Sequence, residues 1–223
     1  MLRIAEGLMQ YGCTVRQLSI ATDKHPWLPE KIDPAFLHAT KADAIYVNTN
    51  VRWLPAFLSL FKSSSYNVDR FYSLSFEARL IETLAAEEFE IIQLESLYMA
   101  PYIPAIRRMS KGKIVLRAHN AESDIWKKYA DEESDILKRK WFRDLADKLA
   151  RYERNTLEIV DAVVPITQQD AVRLKNLETR NQRMFLRLPW SLRLELRLNQ
   201  QLQIQYFTSG RWTGNPTQME CNG

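Results

Sequence analysis

The chain has 223 residues, of which 46% are hydrophobic and 26% charged, with a net charge of +4. That mixture is ordinary for a globular protein, and 6 glycines with 9 prolines exclude a fibrous repeat or a disordered linker. The mild positive charge permits attraction to a phosphorylated ligand or an anionic membrane without calling for nucleic acid. Cys13 and Cys221 lie near opposite ends, which gives neither a disulfide framework nor a CxxC metal spacing, so a reducing, cytoplasmic setting is expected. No stretch approaches the roughly 20 apolar residues of a membrane span. Arg3 and Glu6 interrupt the first ten residues at helical spacing, unlike a signal peptide.

Leu2, Ile4, Ala5, Leu8 and Met9 recur with the period of a helix, and Gly12 sits where such a helix stops. Val15–Ala21 reads as a strand and Ala44–Thr49 (AIYVNT) as another. Trp53–Phe61 and Leu74–Ala86 are amphipathic helices, and Glu90–Glu95 (EIIQLE) is a short buried strand. A helix is expected at about 98–109, then the strand Lys113–Ala118 (KIVLRA). Asp161–Thr167 (DAVVPIT) is a further strand, followed by a helix from Gln168 to Leu177. Strands that alternate with helices and are apolar on both faces predict a parallel α/β sheet.

A long helical stretch, Ser134–Glu158, lies between two of those strands. Leu137, Trp141, Leu145, Leu149, Tyr152 and Leu157 form its apolar stripe. Lys138, Arg139, Lys140, Arg143, Lys148, Arg151 and Arg154 fall opposite, laced with Asp144, Asp147 and Glu153. Such a face is either solvated or leans on acidic lipid headgroups or a polyanionic acceptor.

The composition changes from Glu178 onward: the remaining 46 residues hold six Arg but no Lys, Asp, Ala or Val. Within them LRLELRLNQQLQIQ alternates with period two, as an edge strand or hairpin would, and SGRWTGNPTQMECNG follows neither period.

Side chains just past the carboxyl ends of parallel strands face the crevice where ligands bind. IVLRAHNAE places His119, Asn120 and Glu122 there, directly after the strand ending at Ala118. Thr22, Asn48, Glu95 and Thr167 end other strands, so five strand ends finish in polar groups. That suits a cleft holding a hydroxyl-rich ligand by directed hydrogen bonds. Each residue also has a structural explanation: a core histidine for His119, an N-cap for Asn120 or Ser123, a first-turn acid for Glu122. GxxxxGK[ST], GxGxxG, HExxH and GxSxG are absent. His25 and His38 are poorly placed to complete a metal site.

IVLRAHNAESDIW, followed by LKRKWFRDLADKLARYERNTLEIVDAVVPITQQDA, resembles the amino-terminal domain of GT-B fold glycosyltransferases of the retaining, group 1 (family 4) type. Those enzymes show a strand, an H-N-x-E turn, a long helix ending in a Y-E-R segment, and a D-x-V-x-x-x-S/T strand. The likeness is continuous over about 91–175 and compatible over 1–90. It implies one half of a GT-B fold, a Rossmann-like parallel sheet flanked by helices. It also implies a hexosyltransferase-type reaction between a nucleotide-sugar donor and a glycan, lipid or small acceptor. No cofactor, metal or nucleic acid is expected, and the location implied is cytoplasmic, at most peripheral to the inner face of an anionic membrane. By the same resemblance His119 is the catalytic residue, polarising a hydroxyl or stabilising developing charge. Asn120 and Glu122 shape the turn, and Glu95, Arg117 and Thr167 line the acceptor side.

The chain departs from that pattern at both ends. Family members open with a strand and a Gly-rich loop, and this chain begins at the following helix, so the first strand is expected to be missing and its neighbours to lack a partner. No E-x(7)-E donor-binding motif follows residue 177. Codon degeneracy lets Phe207–Asn222, read two bases later, encode HIGAMDWxPNxDGVQW, which resembles the start of the family's second domain. The expectation is therefore an acceptor-side domain over 1–177 and an aberrant, frameshifted tail over 178–223, the fragment alone being inactive. The alternative is a non-catalytic α/β binding or regulatory module that contacts a partner through its long basic helix.

Overall fold

The structure, a computed structural model, describes residues 2–49, 66–118, 122–177, 184–185 and 203–209. Helix α1 (Leu2–Gln10) ends where Gly12 adopts φ 83°, a left-handed turn that costs glycine nothing. The Cys13 amide then reaches the Leu8 carbonyl at 3.0 Å and the Gly12 amide the Met9 carbonyl at 2.9 Å. These two bonds are the Schellman closure, and they turn the chain into strand β1 (Thr14–Ala21).

A short helix that periodicity did not reveal, α2 (Pro34–Thr40), follows, its N-terminus capped by Asp33 accepting from the Ala35 amide at 2.9 Å. Then come β2 (Asp43–Tyr46), α3 (Tyr66–Asp69) and α4 (Leu74–Ala86). The helix expected over 53–61 lies outside the described residues. Helix α4 has the predicted bounds and buries Phe76, Leu80, Thr83 and Leu84 at i, i+4, i+7 and i+8. Strand β3 (Ile91–Glu95) leads into a 3-10 turn, Leu97–Tyr102, and helix α5 (Ile103–Met109). The expected single helix divides there because Pro101 and Pro104 lack amide donors, and Pro104 is tolerated only in the first turn of α5.

Strand β4 (Lys113–Ala118) has the predicted bounds. Helix α6 (Glu122–Glu132) and helix α7 (Ile136–Ile159) form an antiparallel hairpin, α7 starting at Asp135, whose carboxylate accepts from the Leu137 and Lys138 amides at 2.8 and 3.0 Å. Strand β5 (Ala162–Pro165), helix α8 (Gln168–Leu177), and strands β6 (Met184–Phe185) and β7 (Gln203–Ser209) complete the element order.

The strands form one parallel sheet in the order β2-β1-β7-β3-β4-β5-β6. In register, Leu18, Phe207, Leu94, Leu116, Val163 and Phe185 lie side by side across six strands. One face of the sheet buries Leu18, Ile20, Ile92, Leu94, Ile114 and Leu116 under helices α4, α5, α7 and α8. The other face packs Val15 against Ala5 and Leu8 of α1 and Phe36 of α2. The fold is thus α/β, a parallel sheet with helices on both faces, of Rossmann-like kind.

The slot between β1 and β3 corrects one expectation. It is not left open: β7 enters it, parallel to both neighbours, pairing Thr14–Ile20 on one side and Ile91–Glu95 on the other. An unfilled slot would leave two rows of backbone donors and acceptors without partners, so any extended segment that reaches it is favoured. Gln203–Ser209 is therefore a central strand, where the period-two pattern suggested an edge.

Helix α7 also departs from its expected faces. Leu137 is 79% exposed, whereas Lys148 and Glu153 are 6% and 3% exposed and so belong to the buried side. At its exposed beginning α7 meets α6 through ring pairs, Trp126 with Phe142 at 5.8 Å and Tyr129 with Phe142 at 6.4 Å.

Candidate functional site

The carboxyl ends of β3 and β4 bring two of the expected residues together. Glu95 and Arg117 are register partners in a parallel pair, so their side chains leave the same face side by side. Arg117 Nη1 donates to Glu95 Oε2 at 2.7 Å, and Glu95 is 1% exposed. Gln93, two residues back on that face, donates through Nε2 to Glu95 Oε1 at 2.5 Å. In β1, on the far side of β7, Gln17 donates to Ser19 Oγ at 3.3 Å, and both are buried. The alternation of IIQLE and KIVLRA thus makes this face of the sheet's carboxyl half polar, while Leu94 and Leu116 keep the other face apolar. A buried carboxylate is tolerable here because a guanidinium and an amide answer its charge and its lone pairs.

Ser96, the next residue, has φ 109° and ψ 153°, a region that is essentially glycine's own. Its amide donates to the Arg117 carbonyl at 3.1 Å and its hydroxyl accepts from the Tyr98 amide at 3.2 Å. The chain is thereby bent sharply off the end of β3 into the 3-10 turn.

A second polar cluster stands at the start of α6. Glu153, from the Y-E-R stretch of α7, accepts from the Glu122 amide at 2.5 Å, from the Ser123 amide at 3.4 Å and from the Ser123 hydroxyl at 2.5 Å. These amides open a helix and have no partner within it, so Glu153 caps α6 from across the hairpin. Burial pushes the Glu153 carboxyl up to about 7, against the lowering effect of the Ser123 hydroxyl and the two amides. The Glu122 carboxylate accepts from the Tyr98 hydroxyl at 2.9 Å, and burial together with Glu122 pushes that phenol well above its usual range. Tyr98 stacks on Phe71 at 4.6 Å, and the Arg70 guanidinium lies over Phe71 at 5.2 Å. A cavity of about 10 Å³, room for one water, lies beside Glu122 and Glu153, with Leu97, Leu116, Ala118, Leu157 and Leu174 closing its other sides.

Other expected site residues have local duties. Thr167 caps α8: its hydroxyl accepts from the Asp170 amide at 3.0 Å and donates to the Asp170 carboxylate. Thr22 closes a turn, its hydroxyl accepting from the His25 amide at 3.1 Å. Asn48 is exposed. His119 and Asn120 lie outside the described residues. Of the residues the sequence singled out, the structure joins Glu95 to Arg117 and sets Glu122 in the separate cluster with Tyr98.

Glu153, expected among the charges of the solvated face of its helix, lies instead on the buried side. Its spacing carried the signal: Leu149, Glu153 and Leu157 stand at i, i+4 and i+8, all on the buried stripe. Gln93 was legible in the same way, being two residues before Glu95 on one strand face. Nothing in the sequence marked Tyr98 or the positive φ of Ser96.

Among the described residues no three His, Cys, Asp or Glu side chains form a group that could hold a metal, and no helix is long and apolar enough to cross a membrane. No family model matches the chain, and neither the curated proteins nor the solved structures yield a match.

Proposed function

We propose that the chain is the acceptor-side domain of a retaining glycosyltransferase that moves a sugar from a nucleotide-sugar to a glycan, lipid or small hydroxylated acceptor. One observation carries the reading: the two motifs behind the family resemblance meet in space. Glu153 of R-Y-E-R bonds the Glu122 amide and the Ser123 amide and hydroxyl of H-N-A-E-S, although 30 or so residues separate them. The α6–α7 hairpin brings the two motifs together, and the cluster they form stands at the carboxyl end of a parallel sheet, where α/β folds bind ligands.

In this reading the Glu95–Arg117 pair holds the end of β4 in a fixed direction, and Glu153 holds the start of α6. The segment that carries His119 and Asn120 runs between those two anchors. Its imidazole would polarise a hydroxyl of the transferred sugar or stabilise charge that develops there. Such groups help most when held rigidly, since the entropy of orienting them is lost before the reaction. The donor diphosphate would be gripped by the family's second domain, and residues 1–177 would supply the acceptor side.

The test has two arms. Saturation-transfer NMR on the chain is expected to detect oligosaccharide or lipid-linked sugar acceptors, and UDP- or GDP-sugars weakly or not at all. Fused to a donor-binding domain, the chain is expected to hydrolyse a nucleotide-sugar and to lose that activity in His119→Ala. Retained hydrolysis in the variant removes His119 from the mechanism, and silence in both arms removes the reading. The frameshifted origin of residues 178–223 belongs to the same proposal, and an intact frame in the source DNA with no downstream donor-domain codons would overturn it.

A peripheral contact with an anionic membrane is the secondary element. Ile136 and Leu137, 76% and 79% exposed, stand beside Lys138 and Lys140 at the hairpin tip, which favours it. Asp131, Glu132 and Asp135 in the same turn act against it. Sedimentation with phosphatidylglycerol vesicles, but not with phosphatidylcholine alone, is the expected outcome.

A further inference from the structure

Glu153 sits in surroundings that do not favour a carboxylate. It is 3% exposed, and among the described residues no cation bonds it; its partners there are two backbone amides and one hydroxyl. Among the described residues the ionisable groups that face it are Glu122 from α6 and Tyr98 from the 97–102 turn, with Arg70 acting on Tyr98 from behind. Glu122 carries the same sign of charge. From β4, α7 and α8 come Leu116, Ala118, Leu157 and Leu174, all apolar. A neutral carboxylic acid suits this place: its carbonyl oxygen still accepts the amides, and its own O–H can be given to the Ser123 oxygen.

We infer that Glu153 is a proton-operated latch between α6 and α7: protonated, it keeps the start of α6 docked, and deprotonated, it favours undocking into water. The latch stands apart from the sugar-transfer reading, since its readout involves neither donor nor acceptor. Only its consequence, a change in how firmly the segment before Glu122 is held, rests on that reading.

The direction of the pH effect follows from linkage. In the docked state burial holds the carboxyl near 7, while an undocked, hydrated Glu153 returns to the ordinary glutamate range. The docked state therefore binds the proton more tightly. Its added stability is complete below the ordinary glutamate value and is lost as pH rises towards 7. Across that window undocking grows about tenfold per pH unit, and above 7 it levels off.

Two measurements on the full chain test the latch. Carbon-13 NMR of glutamate-labelled protein gives the Glu153 titration, assigned by the signal that vanishes in Glu153→Gln. Amide exchange, corrected for its intrinsic pH dependence, gives the protection of Glu122 and Ser123. The expected result is a carboxyl midpoint near 7, with protection at both amides falling between pH 5 and 7 and steady above. Glu153→Gln, which cannot ionise, should hold the acid-side protection at every pH. Where Glu153→Gln does not fold, the parent alone decides: protection of the Glu122 and Ser123 amides must fall between pH 5 and 7 together with a glutamate carboxyl that titrates near 7, and Glu122→Gln should lower that midpoint slightly. A Glu153 midpoint in the ordinary glutamate range, or protection indifferent to it, overturns the inference.

Discussion

Replacing Arg117 with Met should destabilise the protein by about 3–5 kcal/mol, because it removes the cation from a buried ion pair and leaves the anion in place. The structure argues for the upper part of that range. Glu95 is 1% exposed, so water cannot replace the guanidinium at 2.7 Å, and the Gln93 amide at 2.5 Å is neutral and does not cancel its charge. Against a typical total of about 5–15 kcal/mol such a loss approaches unfolding. The opposite change, Glu95→Gln, should cost only about 1–2 kcal/mol, since the Arg117 side chain is 16% exposed and keeps a neutral acceptor. The double variant should recover most of the loss, because it buries no unpaired charge. Urea unfolding of the four proteins, followed by far-UV dichroism, measures all three terms. An Arg117→Met cost below about 1 kcal/mol, or one smaller than that of Glu95→Gln, would show Glu95 hydrated and refute the argument.

Ser96→Gly should stabilise by about 1 kcal/mol, the relief of a glycine-type backbone outweighing the lost hydroxyl bond to the Tyr98 amide; a lower thermal midpoint would argue against the strain. Gly112→Ala should cost at least about 2 kcal/mol, since its Cβ would stand 2.3 Å from the Phe89 carbonyl oxygen. A variant that melts like the parent would show that the 89–112 approach gives way. Ending the chain after residue 202 removes β7 and leaves β1 and β3 with unpaired ladders, so cooperative unfolding should disappear and aggregation increase. A truncated chain that keeps its midpoint, with β1 and β3 amides still protected, would mean β7 is not structural.

The elements with one clear period were legible from residues alone. Leu74–Ala86 and Lys113–Ala118 have the bounds their patterns indicate, because a helix stripe and a doubly buried strand each leave a sharp apolar signature. Gly12 marked the end of α1 for a reason that is local and steric. The position of β7 was not legible, because which extended segment fills a central slot depends on pairing across nearly the whole chain. Glu153 was misplaced for a different reason: charge suggested solvent, while its spacing from Leu149 and Leu157 pointed inward. In that contest the spacing decides, since a helix face buried by its neighbours carries every residue on it inside, and a carboxyl can lose its charge. The chemistry of Glu95 and Arg117 could be read as polar strand ends, but their bond required the parallel register of β3 and β4.

The two buried carboxyls hold their parts of the site by opposite means, and this separates their responses. Glu95 faces a guanidinium, so its anchorage is ionic and remains as pH rises. Glu153 faces amides, a hydroxyl and a like charge, so its anchorage is strongest when neutral and weakens towards pH 7. Acid therefore tightens the start of α6, and rising pH loosens it until about 7. Any function carried by the segment between Ala118 and Glu122 should accordingly have its alkaline boundary set by the α6 anchor. Glu153→Gln should move that boundary upward, whereas Arg117→Met should weaken the β4 anchor without moving that boundary.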